Sequence, residues 1–130
     1  MRRLLTAIGF LLLSGNLSGQ DLDRTVYVDI RPDFVTNFSE GARMKYLRAN
    51  VSLKIKARDE EAVRYHLPYI KNVLVILFSG QSEENLTSTA GRETLRQVAL
   101  DSVRQALGKL ELDGETKVDD LFFTNFVVQT

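Results

Sequence analysis

Residues 121–130 read LFFTNFVVQT. Six of these ten are apolar, aromatic and β-branched types dominate, and neither Gly nor Pro interrupts them. That composition predicts a strand buried on at least one face. A chain end frays unless something ties it down, so so apolar an ending is expected to be an inner strand of a sheet, beginning near Val118. Upstream, residues 111–117 form a polar loop around Asp113-Gly114. Residues 90–110 carry helical spacing, with Leu95, Val98, Ala99, Ser102, Val103, Ala106, Leu107 and Leu110 on the inner side and Lys109 at the negative end. Residues 82–85 suit a single turn.

An earlier helix is expected to start at Asp59, with Asp59 as its N-cap and Glu60 and Glu61 in the positive first turn. Val63, Leu67, Ile70, Leu74 and Leu77 make its apolar stripe. Pro68 falls inside it and predicts a kink or a helix in two pieces. Ahead of this helix, residues 46–57 alternate cleanly: Leu47, Ala49, Val51, Leu53, Ile55 and Ala57 share one face, and Arg48, Asn50, Ser52, Lys54 and Lys56 the other. This is the pattern of a strand with one wet face. Residues 25–31 (TVYVDIR), closed by Pro32, and residues 34–39 (FVTNFS) read as two further short strands. The order β-β-β-α-α-β predicts an α+β, two-layer domain: a mainly antiparallel sheet of about four strands covered by two long helices.

The chain of 130 residues holds one domain at most. Met1-Arg2-Arg3 is basic, residues 4–15 are apolar, and residues 16–20 are small and polar. A spanning helix needs about 20 apolar residues, so residues 1–19 are expected to be a cleaved signal peptide or a short membrane anchor, and residues 20–130 an exported domain. From Gln20 onward there are 15 basic and 17 acidic side chains, which lacks the basic footprint of a nucleic-acid binder. Cysteine is absent, which removes disulfides, thiolate metal sites and thiol catalysis together. Asn-x-Ser/Thr triplets at Asn16, Asn37, Asn50 and Asn85 read as chance.

Catalytic chemistry finds little to work with. His66 is the only histidine and reads as a packed or capping side chain. One His without Cys cannot anchor a transition-metal site, which needs three or four convergent ligands. Asp59-Glu60-Glu61 is explained by a helix start, and Asp119-Asp120 point to opposite faces of a strand. There is no glycine-rich phosphate loop and no nucleophile elbow, so neither enzyme activity, metal nor cofactor is expected. Two charged surfaces remain. Arg48, Lys54, Lys56 and Arg58 form a basic stripe on the wet side of the alternating strand, and Glu111, Asp113, Glu115, Asp119 and Asp120 crowd the loop before the last strand. The plain reading is two solvated surfaces. The sharper one is a candidate interface of Arg48, Lys54, Lys56 and Arg58 against Asp113, Glu115 and Asp119 in another copy, a head-to-tail contact that can close a ring.

Five short segments add a resemblance. Pro32, Phe34, Val35, Asn37 and Phe38 form P-x-F-V-x-N-F, and Lys45-Tyr46-Leu47 follow. His66-x-Pro68 with Lys71-Asn72, then Asn85-Leu86-Thr87 with Gly91-Arg92-Glu93-x-Leu95-Arg96, come next, and the ending is FTNFVVQ. In this order, over about residues 26–129, the chain resembles the flagellar basal-body-associated FliL family. The resemblance implies a non-catalytic periplasmic module of stomatin/prohibitin-like fold at the flagellar motor, with no cofactor. It implies partners among stator and basal-body proteins, a homo-oligomeric ring and inner-membrane association. Members usually carry a longer membrane helix and a linker before the domain, so a paralogue acting from the periplasm, or an adaptor of the same fold serving another membrane complex, is the alternative.

Overall fold

Alternation over residues 46–57 becomes the spine of the sheet. In the computed structural model, which describes residues 22–40 and 43–129, β1 (Thr25–Glu40), β2 (Arg43–Lys56) and β3 (Asp120–Gln129) form an antiparallel sheet in the order β1-β2-β3. Leu47, Ala49, Val51, Leu53 and Ile55 of β2 are buried on the helix side, as the period of two requires. The opposite face is only partly wet, since Ser52 is buried too.

The sheet has three strands among the described residues, not four. The two short strands expected at residues 25–31 and 34–39 are halves of β1. Pairing with β2 runs to Ile30↔Val51 and resumes at Phe34↔Ala49, so residues 31–33 bulge opposite Asn50. Pro32 has no backbone N–H to give to a ladder, and the bulge accommodates it without ending the strand. The last strand is also corrected. Among the described residues β3 pairs with β2 alone and so forms an edge rather than an inner strand, and it starts at Asp120. Ahead of it, Val118 is buried and the Asp119 N–H donates to the Lys54 carbonyl at 2.8 Å.

Two long helices were expected; the described residues contain four helices, α1 (Glu60–Tyr65), α2 (Leu67–Ser79), α3 (Glu83–Thr87) and α4 (Thr89–Leu110). The observed order is therefore β-β-α-α-α-α-β. The first break falls at His66, so Pro68 stands in the opening turn of α2, where its missing N–H costs no helical bond. Asp59 stands at the N-cap position of α1, as expected, but its side chain makes no capping bond. It closes a 3-10 turn (Ala57–Asp59), and its carboxylate takes the Lys117 ammonium at 3.4 Å. The caps are serines instead: Ser82 Oγ accepts from Asn85 N at 3.3 Å and Ser88 Oγ from Gly91 N at 2.9 Å, starting α3 and α4.

Between the layers lies one core. Val63, Ile70, Leu74 and Phe78 of α1 and α2, Leu86 of α3, and Leu95, Ala99, Leu100, Val103 and Leu107 of α4 meet Val28, Ile30, Phe34 and the inner row of β2. Within the expected helix stripe, Leu67 and Leu77 are only partly buried and Phe78 takes the inner place. In α4, Val98 and Leu110 are exposed and Leu100 is buried in their stead. Residues 1–19, expected as a leader or anchor, lie outside the described residues.

Candidate functional site

Segments far apart in sequence converge on one chain of rings. Phe34 of β1 meets Phe78 of α2 edge to face at 5.2 Å, Phe78 meets Phe123 of β3 at 5.8 Å, and Phe123 meets Phe126 at 5.0 Å. These separations are those at which aromatic pairs attract beyond simple burial. Lys71 of α2 donates to the Pro32 carbonyl at 3.0 Å and stands over the Phe34 ring at 5.6 Å. So the P-x-F segment, the Lys that follows His66-x-Pro68, and both phenylalanines of FTNF act on one another directly. Gly91 belongs to the same set. A Cβ there would sit 2.6 Å from the Asn85 carbonyl oxygen, so only glycine lets α4 start this close to α3.

A ridge of arginines then fastens α4 to the last strand. Arg92, Arg96, Leu100 and Arg104 recur every fourth residue and so share one side of the helix. Arg104 donates to the carbonyls of Val118 and Asp119, both at 3.0 Å. Arg96 donates to Asp120 Oδ1 at 2.7 Å and to the Leu121 carbonyl at 3.1 Å, grips both oxygens of Glu93 at 2.6 and 2.9 Å, and stands over Phe122 at 5.7 Å. Sequence reasoning missed this ridge. Its signal was the recurrence at 92, 96 and 104, hidden by reading α4 only for its apolar positions.

The Glu93 carboxyl is held down to about 2, from an ordinary 4.5, first by the hydrogen bond from Arg96 and then by that from Gln97. The Arg96 guanidinium is raised further above its ordinary range, chiefly by the Glu93 bond. A depressed carboxyl stabilises the fold fully above its unfolded pKa and loses that contribution as pH falls through its folded one. Glu93→Gln is therefore expected to lower the thermal midpoint modestly at pH 7. The gap from the parent protein should close between pH 4.5 and pH 2. A gap unchanged across that window in a pH series of thermal melts would exclude Glu93 as its source.

His66 lies at the junction of α1 and α2. Its Nε2 lies 2.8 Å from Glu111 Oε1, joining that junction to the residue after α4, and the Tyr65 ring meets it edge to face at 4.9 Å. No group of three or more His, Cys, Asp or Glu placed to hold a metal occurs among the described residues.

The expected charged interface is only partly brought together. Arg48 lies 3.6 Å from Asp33, the carboxylate that the Asn50 amide also faces. Lys56 reaches Asp119 at 3.9 Å within the same molecule, so these two halves of the interface already face each other inside one copy. Arg58 is not on the stripe: it sits in the turn after β2 and pairs with Asp23. The Lys54 ammonium has no partner among the described residues, and its backbone carbonyl receives Asp119. Asp113 adopts a left-handed conformation (φ 55°) at the loop apex, and the Glu115 side chain lies near Gly108; neither carboxylate has an ion pair among the described residues. Beyond these charges, the sheet face away from the helices holds two open hollows that share Val35 and Arg48. One, of about 620 Å³, is lined by Arg31, Pro32, Asp33, Val35 and Arg48. The other, of about 410 Å³, adds Tyr46, Asn125, Val127 and Gln129.

Fold and site together define a two-layer α+β domain whose distinctive residues hold its own elements in place. Residues 27–129 match the family described as flagellar basal body-associated protein FliL, and the chain belongs to that family. Matched residues include all five segments that carry the resemblance. No individual curated protein matches the chain. Among the described residues no helix is long and apolar enough to cross a membrane.

Proposed function

We propose that this protein is a non-catalytic accessory of the bacterial flagellar motor. Residues 20–130 would lie in the periplasm behind a leader or short anchor (residues 1–19), associate with stator and basal-body proteins, and support rotation. Membership of a flagellar basal-body-associated family across residues 27–129 carries the reading. It is supported by the chemistry of the site, where the distinctive side chains bond to neighbouring backbone, rings and counter-charges rather than converge on a cleft.

Ring formation belongs to the same proposal, in a narrower form. Since Lys56 meets Asp119 within one copy, the charges left to engage a neighbour are Lys54 on one side and Asp113 and Glu115 on the other. Contacts of this kind weaken with salt, as the screening length falls from about 8 Å at physiological ionic strength to about 3 Å at 1 M. Deletion of the gene in its native host is expected to reduce swimming most under high viscous load. Complementation with the parent chain should restore it, and Lys54→Glu should restore it incompletely. Bead-rotation measurements showing equal torque in deleted and parent strains at every load would refute the motor role. A salt-independent oligomer in sedimentation would refute the charge contact alone.

A further inference from the structure

The arginine ridge of α4 treats the approach to β3 and its first residues differently from its second half. Before Thr124, arginines occupy the backbone: Arg104 takes the carbonyls of Val118 and Asp119, and Arg96 takes that of Leu121. At Thr124 the pairing with β2 slips by one residue, from Val51↔Phe123 to Asn50↔Asn125. Beyond that bulge, among the described residues, nothing except β2 bonds the backbone of residues 125–129. An edge strand leaves alternate N–H and C=O groups pointing outward, a template for a further strand unless something blocks it.

Two hollows flank this stretch and join at Arg92. One, of about 370 Å³, is lined by Thr89, Arg92, Glu93, Arg96, Phe122 and Phe123. The other, of about 280 Å³, is lined by Leu86, Thr87, Arg92, Phe126, Val127 and Val128. Unlike Arg96 and Arg104, Arg92 makes no hydrogen bond to residues 118–129. It stands over the Phe126 ring at 5.6 Å and reaches the Thr87 carbonyl at 3.5 Å, but it has no carboxylate partner among the described residues. Arg96, four residues on, has two.

We propose that residues 125–129 and Arg92 form a docking groove for an extended segment of a partner protein, which adds to the sheet as a fourth strand and places a carboxylate on Arg92. The inference rests on the accessory reading, in which the domain works through contact with other proteins. Main-chain bonds to an open edge supply affinity in such additions, and side-chain pockets supply selectivity. Five residues of strand give about 16 Å of pairing length. The apolar lining favours alternating apolar residues on the partner, and the uncommitted guanidinium favours one acidic residue among them. The other edge of the sheet does not offer this in a second copy. β1 is interrupted at residues 31–33, and its Asp29 and Asp33 already face Arg31 at 4.0 and 3.3 Å.

The test uses the full chain and two blocked synthetic peptides, Thr-Val-Thr-Glu-Thr-Val-Thr-Val-Thr, in which Glu shares a face with the valines, and the same sequence with Lys in place of Glu, each at concentrations where it is monomeric. Hydrogen exchange read by mass spectrometry should slow over residues 125–129 when the Glu peptide is added. Fluorescence anisotropy should show the Lys peptide binding roughly fivefold to tenfold more weakly. Arg92→Gln should equalise the two affinities while the protein still unfolds in a single cooperative transition, and N-methylation of alternate peptide bonds should remove binding. Equal affinities in the parent protein, protection confined to the Val35–Arg48 face, or no protection at all would overturn the proposal. So would protection of residues 125–129 that appears with protein concentration alone, which would make a second copy the occupant. None of these readings depends on flagella, so failure here leaves the load-dependence experiment to decide the motor role.

Discussion

Truncation after Asp120 is expected to abolish cooperative folding. The cut removes Leu121, which is fully buried, together with Phe123, Phe126 and Val128, which pack against the core. At roughly 1.5–3 kcal/mol per buried apolar side chain, with the partly buried ones counted low, the loss is about 5 kcal/mol or more before any ladder bond is considered. Whole domains are stable by only about 5–15 kcal/mol. The truncation also strips β2 of its partner from Tyr46 to Leu53 and removes the Leu121 carbonyl that Arg96 holds. An edge strand is often the dispensable one in a sheet; this one is not, because its buried side chains complete the core and Arg96 of α4 holds its backbone at Leu121. Far-UV circular dichroism on heating should show no sigmoidal transition for the truncated chain. A sharp transition at the parent midpoint would refute the role assigned to β3.

Much of this architecture was legible in the sequence because it rests on short-range periodicity. Alternation over residues 46–57 located the spine of the sheet, and the spacing of Ile70 and Leu74 and of Leu95, Ala99 and Val103 located the helix faces. What was not legible depends on how elements meet. Pro32 looks like a strand terminator because it cannot donate to a ladder, yet a bulge opposite Asn50 carries β1 past it. An apolar final strand looks central because its neighbours are invisible in sequence. Here α4 shields one side of it, so it can be both apolar and at the edge. The charged surfaces show the same limit. Lys56 and Asp119 are 63 positions apart, and only the fold shows that they meet inside one molecule. The arginine ridge was within reach of sequence, since 92, 96, 100 and 104 share a helix side. Its meaning came only with the carbonyls it holds.

Phe78→Ala is expected to cost about 3–5 kcal/mol, the range for removing a large buried ring. Periodicity alone assigned the inner place to Leu77. On a helix with about 100° per residue, Phe78 lies about 40° past Leu74, while Leu77 lies about 60° to its other side. The described sheet resolves the choice, since Phe78 is fully buried and Leu77 only partly. Its ring holds β1 through Phe34 and β3 through Phe123, so one substitution loosens both edges of the sheet at once. Phe78→Leu should recover part of the loss by refilling volume, but not the edge-to-face contacts, which contribute about 0.5–1.5 kcal/mol each. Leu77→Ala, at a half-buried position, should cost clearly less than Phe78→Ala. Urea titrations of the three variants test the ordering. A Leu77→Ala loss equal to or larger than that of Phe78→Ala would place the helix in the rotation that periodicity alone implied, and would separate the aromatic chain from the stability of the sheet.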